Sequence, residues 1–368
     1  MIQKLWTRGF RNLKETAIDF DISLPTLVHG LNNQGKTSLL ESIYICTNGI
    51  SPVQNDLTKT ILFDQHEAVL GADFVIADDF YRLYIRFDGD QKREIILNNE
   101  KITQIKQIQK LFHTEFLSAD ILHIFQKEAD FRRRDLDRFC SLYVNVYRET
   151  LQKYEQLLRQ KNKELKGNKN QELLDLFNEQ LHEKSIFLVQ ARQDTLRLIA
   201  EKMCTYYQQL KMEQFQDIAV NYLVKRRELA DDQLDYATFL EQRFQQDRQQ
   251  EMDRGFSCTG PHRDDFDVLI ADQSCFDYYS RGINRMTAIL YQLAKIELRE
   301  AQFKAKGILL LDDTFAEIDH VNRRLLLPFL AERAQVIYAT VADVDYDLFD
   351  SNSIVYIEQG ALTHGRSR

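Results

Sequence analysis

The run Gly30-Leu31-Asn32-Asn33-Gln34-Gly35-Lys36-Thr37 has the residue types and spacing of a phosphate-binding loop, GxxxxGK[ST]. Its glycines allow backbone N–H groups to surround the α- and β-phosphates at a helix N-terminus. Lys36 would place its charge at the β- and γ-phosphates, and the Thr37 hydroxyl would bind Mg²⁺. The sequence therefore predicts a nucleoside triphosphate site. Its candidate nucleotide-binding residues are Gly30, Asn32, Asn33, Gln34, Gly35, Lys36, Thr37 and Ser38.

A second acidic element is expected to complete such a loop, on a strand that neighbours the strand before the loop. The apolar run Ile308–Leu311 ends in Asp312 and Asp313. This pattern is typical of a Walker B strand. Asp312 would hold Mg²⁺ through a water, and Asp313 is placed to orient the attacking water or accept its proton. Taken without the loop, adjacent acids after an apolar strand are also typical of a solvated strand end.

A third candidate is the start of a helix at Ser280-Arg281-Gly282. A serine hydroxyl and free backbone N–H groups at that position could contact a phosphate. The same residues also suit a plain N-cap, which is the commoner use of Ser and Gly at a helix start. From spacing alone, both interpretations of Ser280 and Gly282 stay open.

The elements that must position these residues begin with β-structure. Alternating apolar residues predict strands at Ile2 to Arg8, Thr16 to Phe20 and Thr26 to His29, followed by a helix from Lys36. Turn residues interrupt the β-rich region Val69 to Ile102, which therefore predicts an antiparallel meander that extends the first sheet. The phosphate loop thus lies between a strand and a helix, as its chemistry requires.

Helical periodicity dominates from Leu136 to Leu210, with a break at Gly167-Asn168-Lys169-Asn170, and predicts two antiparallel helices. Because Lys36 and Asp312 are separated by 276 positions, this helical arm fills a large insertion between the halves of the nucleotide site. Strand signals return at Ile308 to Leu311 and Gln335 to Ala339 around a helix. That strand–helix–strand order favours a parallel sheet.

Composition sets the protein class. A chain of 368 residues allows two cores or one core with an insertion, and 44% apolar with 28% charged residues is typical of a folded globular protein. Five cysteines without a CxxC pair indicate reduced thiols. No apolar run is long enough for a membrane span, so a cytoplasmic location is expected. The net charge of −8 means that nucleic-acid binding would need local basic surfaces.

Taken together, these residues resemble the SMC-like branch of ABC ATPases, and more specifically the RecF family of bacterial recombination-mediator ATPases. The matching segments extend from end to end, and Gly260-Pro261-His262-Arg263-Asp264-Asp265 is the most family-specific of them. The segments are Phe10 to Leu13, Gly30 to Tyr44, Arg132 to Asp137, Tyr154 to Asn162, Gly260 to Asp265, Leu310 to Asp313 and Gln335 to Thr340.

The resemblance implies an α/β fold: an ABC-ATPase head with a mixed sheet and an antiparallel meander, plus an inserted helical arm. It divides the chain into an N-terminal half of the head at 1–135, the arm at 136–215 and a C-terminal half of the head at 216–368. Arg11 would lie near the adenine of ATP; the alternative for this residue is an ion pair with an acid on the first sheet.

The resemblance also implies that two heads sandwich two ATP·Mg²⁺ molecules, with Ser280 and Gly282 of one subunit reaching the γ-phosphate bound at Lys36 of the other. Such a homodimer would bind double-stranded, gapped or junction DNA. With partner mediators such as RecR and RecO, it would place the RecA recombinase on single-stranded gaps during replication and repair.

The chain departs from the family pattern at Ile283, where glutamine is usual, at Asn284 and at Ala316. No histidine comes directly after Gln335 to Thr340 to act as a switch residue, so slow hydrolysis is expected. The rival hypothesis is a non-hydrolysing nucleotide-binding scaffold that works through protein partners. A P-loop kinase or GTPase is disfavoured, because the acidic strand comes late and an Asn-Lys-x-Asp guanine motif is missing.

Other polar clusters have simpler interpretations. His262 to Asp265 could ligate a metal, but a turn with Arg and Asp partners is the commoner structure. Arg132 to Arg134 and Lys225-Arg226-Arg227 could contact phosphates or form solvated faces.

Overall fold

The protein is an α/β structure with long helices inserted between its N- and C-terminal regions. The computed structural model describes residues 1–212, 215, 217–224, 236–303, 306–315, 318–341 and 346–364. Its strands are β1 (Ile2–Arg8), β2 (Thr16–Asp19), β3 (Thr26–His29), β4 (Glu67–Ile76), β5 (Asp79–Asp88), β6 (Arg93–Leu97), β7 (Glu100–Lys101), β8 (Thr114–Leu117), β9 (Ile218–Leu223), β10 (Asp265–Ile270), β11 (Gln273–Ser274), β12 (Ile308–Asp312), β13 (Gln335–Thr340), β14 (Ile354–Glu358) and β15 (Ala361–His364). Its helices are α1 (Lys36–Asn48), α2 (Ile105–Leu111), α3 (Ala119–Leu122), α4 (Ala129–Tyr143), α5 (Tyr147–Lys166), α6 (Gln171–Gln209), α7 (Tyr236–Gln246), α8 (Arg248–Arg254), α9 (Cys275–Tyr278), α10 (Arg281–Phe303) and α11 (His320–Arg333).

The chain divides into two compact units. The first unit comprises Met1–His123 and Ser280–Arg368, and the second unit comprises Ile124–Tyr279. The second unit is wider than the expected insertion at 136–215, because β9 to β11 pack with the long helices. Residues 216–279, which we expected in the C-terminal half of the head, therefore fall in the second unit. As a functional division, the three-part assignment stays a prediction.

An antiparallel sheet occupies one side of the first unit, in the order β2-β1-β4-β5-β6-β7. Its longest hairpin joins β4 to β5 through Ala77 and Asp78, and both residues have positive φ angles, 46° and 73°. A two-residue turn of this kind matches the right-handed twist of the strands it joins. The meander predicted between Val69 and Ile102 is confirmed, and it extends the sheet that contains β1.

A second sheet of the first unit is parallel except for its edge strand β15, with the order β15-β14-β3-β13-β12-β8. The predicted strand–helix–strand segment β12–α11–β13 is confirmed as parallel. Our expectation that the acidic strand neighbours the strand before the phosphate loop was wrong, because β13 lies between β3 and β12. The carboxyl ends of β3 and β12 nevertheless meet at one edge, where α/β sheets bind ligands.

Helix α1 packs against strands of both sheets, including β4 and β12. Its side chains Leu39, Leu40 and Ile43 are fully buried, and they join a continuous apolar core shared by the two sheets. The buried Gln335 side chain also connects the sheets: it accepts from the Ile2 N–H at 2.7 Å and donates to the Ile2 carbonyl at 2.8 Å. This core fixes the start of α1, and with it the phosphate loop.

Long helices form most of the second unit. The predicted break is confirmed: α5 ends at Lys166, and α6 begins after Asn170, whose side chain caps the helix by accepting from the Leu173 N–H at 3.1 Å. A small sheet in the order β11-β10-β9 packs on α6 through β9. Among the helices of the described ranges, none combines the length and apolarity that crossing a membrane requires.

Candidate nucleotide-binding site

The phosphate loop connects the end of β3 to the start of α1. Gly35 caps the helix with φ of 112°, and Asn33 also lies in the left-handed region with φ of 62°. Glycine adopts this conformation without strain, and asparagine tolerates it better than most residues. The first N–H groups of a helix have no partner within the helix, so the start of α1 is available to bind phosphate.

Lys36 is the first residue of α1, and its side chain folds back over the loop. Its Nζ donates to the carbonyl oxygens of Gly30 and Leu31, each at 2.9 Å. Burial lowers the pKa of Lys36, while the nearby charges of Asp313 and Asp312 oppose that shift. The lysine and the acidic pair that the sequence assigned to one site therefore lie together.

The Thr37 hydroxyl donates a 2.8 Å hydrogen bond to Oδ2 of Asp312, which joins residues 275 positions apart. Burial raises the pKa of Asp312 to about 6, although the hydrogen bond from Thr37 acts in the opposite direction. A desolvated carboxylate beside a hydroxyl forms a set of oxygen donors that suits a hard divalent cation such as Mg²⁺. The donor chemistry thus fits the metal role expected of Thr37 and Asp312.

Asp313 follows β12 and is held by the neighbouring strand. Its N–H donates to the carbonyl of Ala339 at 2.9 Å, and its Oδ1 accepts from the N–H of Val341 at 3.2 Å. Its φ of 49° is uncommon for a residue other than glycine. These bonds fix the carboxylate near Lys36, where an acid that orients water would be needed. Its catalytic role stays a prediction.

Arg11 lies beside the loop and forms a bidentate ion pair with Glu41 of α1, at 2.8 and 2.9 Å. We expected either an adenine contact or an ion pair with an acid on the first sheet. The acid is instead on α1, and the adenine contact stays a prediction. The role of Glu41 was not predicted, because no spacing rule relates this residue to Arg11.

Asn12, the next residue, was noted as part of a matching segment but received no role. Its Nδ2 donates to the carbonyl of Asn33 at 3.1 Å, and its Oδ1 accepts from the Ser38 hydroxyl at 2.8 Å. It therefore joins the middle of the phosphate loop to the first turn of α1. The Gln34 side chain accepts a hydrogen bond from the turn between β14 and β15, and its predicted contact with a nucleotide stays a prediction.

Ser280 and Gly282 lie at the start of α10. The Ser280 carbonyl accepts from the N–H of Asn284 at 3.0 Å, and its hydroxyl accepts from the N–H of Ile283 at 3.4 Å. Within one chain Ser280 thus acts as an N-cap, the simpler of the two interpretations. A contact between these residues and a nucleotide on a second subunit stays a prediction.

The basic and polar candidates of the second unit are largely internal. Arg132 forms a bidentate pair with Asp265 at 2.8 and 2.6 Å, and Arg133 donates to the carbonyl of Asp264 at 2.6 Å. Arg134 is exposed and pairs with Asp130. The expected turn is present at Pro261 and His262, and the run ends at Asp265, where β10 begins. Lys225-Arg226-Arg227, Ala316 and Glu317 lie outside the described residues.

This combination of a phosphate loop, a distant acidic strand and a helical insertion defines the chain as an ABC-type ATPase head of the SMC-like branch. The model of the RecF/RecN/SMC N-terminal domain matches residues 1–364, and the chain belongs to this family, as a RecF member.

Curated relatives match along their whole length. The chain is 28% identical over 381 aligned residues to a DNA replication and repair protein RecF of Halothermothrix orenii, covering 100% of this chain and 99% of that protein. A protein of the same name from Clostridium acetobutylicum is 26% identical over 366 residues, covering 98% and 99%.

Solved structures support the same fold. A structure described as the recombination mediator protein RecF with ATP in the RecFOR pathway is 25% identical, with a TM-score of 0.80 and coverage of 99% of this chain and 98% of that chain. An SMC head bound to the C-winged helix domain of ScpA is 14% identical, with a TM-score of 0.54 and coverage of 98% and 95%. The second similarity supports the head fold alone.

Proposed function

We propose that the protein is an ATP-dependent, DNA-binding recombination mediator that acts in DNA replication and in the repair of gaps. The single observation that supports the proposed binding of ATP·Mg²⁺ is the Thr37–Asp312 hydrogen bond of 2.8 Å. This bond joins the phosphate loop to the acidic strand across 275 positions. The mediator role is supported by similarity to proteins named DNA replication and repair protein RecF and to the RecF–ATP structure of the RecFOR pathway.

In this proposal ATP occupies the loop of residues 30–37, with Arg11 near the adenine and Ser38 beside the loop. The N–H groups at the start of α1 and the Lys36 ammonium bind phosphate oxygens. Thr37 and Asp312 hold Mg²⁺, which neutralises phosphate charge when it is bound. Asp313 orients the attacking water and accepts its proton.

ATP then controls assembly. Ser280 and Gly282 of one subunit contact the γ-phosphate bound to the other, so that two heads close as a homodimer only around the triphosphate. ADP lacks those contacts, and hydrolysis therefore resets the dimer. The dimer binds double-stranded, gapped or junction DNA in the cytoplasm and cooperates with RecR and RecO to load RecA.

Sedimentation with and without ATP tests the assembly step. The native chain should shift from monomer to dimer with ATP·Mg²⁺, and Lys36→Met should stay monomeric. The exposed Lys59→Met is the matched control and should behave as native. DNA binding measured at two salt concentrations should weaken as salt rises, because phosphate contacts release counterions. A native chain that stays monomeric with ATP and ignores DNA would contradict the proposal.

The rival function is a non-hydrolysing scaffold, favoured by the unusual Ile283-Asn284 at the start of α10. Hydrolysis by the native chain and by Asp313→Asn distinguishes the two. If Asp313 acts as a base, the substitution should slow turnover by at least about 100-fold. Asp64→Asn, at an exposed turn, is the control. Equally absent hydrolysis in all three proteins would support the scaffold.

A further inference from the structure

The turn between β14 and β15 touches the phosphate loop from the far end of the chain. Gln34, in the loop, accepts two hydrogen bonds from this turn: its carbonyl from the Gly360 N–H at 3.0 Å, and its side-chain Oε1 from the Gln359 N–H. Both turn residues have positive φ, 45° for Gln359 and 75° for Gly360. The turn thus presents two N–H groups to one loop residue.

The turn is itself held in place by the segment that follows β1. The Gly360 carbonyl accepts from the Lys14 N–H at 3.0 Å, and a side chain at Gly360 would overlap the carbonyl oxygen of Asn12. Asn12 in turn donates to the Asn33 carbonyl in the loop. A Cβ at Gly360 would therefore displace the turn or the Asn12–Lys14 segment. Either movement would disturb a segment that is bonded to the phosphate loop.

Strand β14 also packs against both glycines of the loop. A Cβ at Gly30 would clash with the Ile357 side chain at 2.7 Å, and one at Gly35 would approach the same side chain at 3.1 Å. The loop is consequently enclosed between the Asn12–Lys14 segment and the hairpin β14–β15. Two segments separated by almost the whole chain therefore contact the loop.

We propose that the hairpin β14–β15 is a positioning element of the nucleotide site and that Gln34 is the residue through which it acts. The inference rests on the proposed binding of ATP by the loop. Phosphate binds more tightly when the loop N–H groups already point at one place before the ligand arrives. A loop that is ordered only on binding loses affinity, because the ordering costs conformational entropy.

Gln34→Met tests the inference, since it removes the acceptor while keeping the length of the side chain. Losing one hydrogen bond should raise the Kd and KM for ATP·Mg²⁺ about fivefold, with kcat close to native. Amide hydrogen exchange of residues 30–36 in nucleotide-free protein should become faster, while the denaturant midpoint stays unchanged. Gln65→Met, at an exposed turn of the same unit, is the matched control and should change none of these.

Gly360→Ala tests the turn itself and should weaken ATP binding more than Gln34→Met does. Gly89→Ala is its control, because a Cβ there meets no heavy atom within 4 Å. If native protein binds ATP and both test variants bind it equally well with native loop exchange, the positioning role is overturned and the proposed function stands. If native protein itself fails to bind ATP, the proposed function fails and this inference fails with it.

Discussion

The two units each contain a dense group of polar side chains, and the two groups differ in how their hydrogen bonds are used. At the site in the first unit, Asp312 is desolvated enough to raise its pKa to about 6, and its side chain accepts from Thr37. In the second unit, a group that we name the arm network is buried and densely bonded. It consists of Asp137, Tyr147, Tyr154, Arg192, Tyr222, Tyr236, His262 and Asp264.

Arg192 is the centre of the arm network. It donates to both oxygens of Asp137 at 2.9 Å, to the Tyr222 hydroxyl at 3.1 Å and to the Pro261 carbonyl at 2.8 Å. The hydroxyls of Tyr222 and Tyr236 both donate to Asp264 at 3.0 Å. Polar groups satisfied in this way stabilise one packing, whereas the site keeps a carboxylate, Asp312, whose charged form is disfavoured by folding. Density of polar residues therefore does not identify a site by itself.

The largest expected effect is the loss of stability on removing the centre of the arm network. Arg192→Leu leaves the carboxylate of Asp137 without its cation. Unpaired buried charges of this kind cost about 3 to 5 kcal/mol of unfolding free energy. Urea unfolding followed by circular dichroism measures the change.

The matched control for this prediction is Arg197→Leu on the same helix, α6. Arg197 is 70% exposed in its side chain and pairs with Asp194 at 3.7 Å, so its loss should cost less than about 1 kcal/mol. Equal costs for the two substitutions would show that the arm network is no more than a set of surface-like pairs.

Lys36→Met should give the opposite result: a large loss of binding with little loss of stability. Removing a charged donor to phosphate should weaken ATP binding by about 100-fold. Because burial already lowers the pKa of Lys36, the ammonium adds little to folding, and unfolding without nucleotide should change by less than about 1 kcal/mol. Calorimetric titration with ATP and urea unfolding measure the two effects. A destabilisation as large as that of Arg192→Leu would remove the distinction between the units.

The free energy of unfolding should depend on pH through Asp312. Its pKa is raised above the ordinary carboxyl value of 3.8 to about 6, so folding favours the protonated form. The resulting stability is present below pH 3.8 and is lost as pH rises through about 6. In chelator-treated protein, Asp312→Asn should therefore gain about 1.5 kcal/mol over native protein between pH 5 and pH 8. The exposed control Asp64→Asn should show no such gain, and a flat profile for Asp312→Asn would contradict the prediction.

Particular residues show which parts of the site and the fold could be predicted from the sequence. Lys36, Thr37 and Asp312 were predictable because their chemistry is carried by local spacing: a glycine loop before a helix, and acids at the end of an apolar strand. The contact between Gln34 and Gly360 was not predictable, since it depends on β14 and β15, which have no distinctive sequence signal. The position of β13 between β3 and β12 was likewise unpredictable, because strand order is decided by tertiary packing.

The contact between His262 and Tyr154 in the second unit was likewise not predictable from the sequence. Its loss has the smallest effect that we expect. The Tyr154 hydroxyl and Nδ1 of His262 share a 2.6 Å hydrogen bond, and burial lowers the pKa of His262 to about 3, so the ring is neutral at pH 7. Tyr154→Phe leaves that nitrogen without this bond and should cost about 1 kcal/mol of unfolding free energy. ATP binding should stay native, because the hydroxyl belongs to the arm network. Tyr84→Phe, on the antiparallel sheet, is the control, and an effect of Tyr154→Phe on ATP affinity without loss of stability would place this tyrosine among the functional residues.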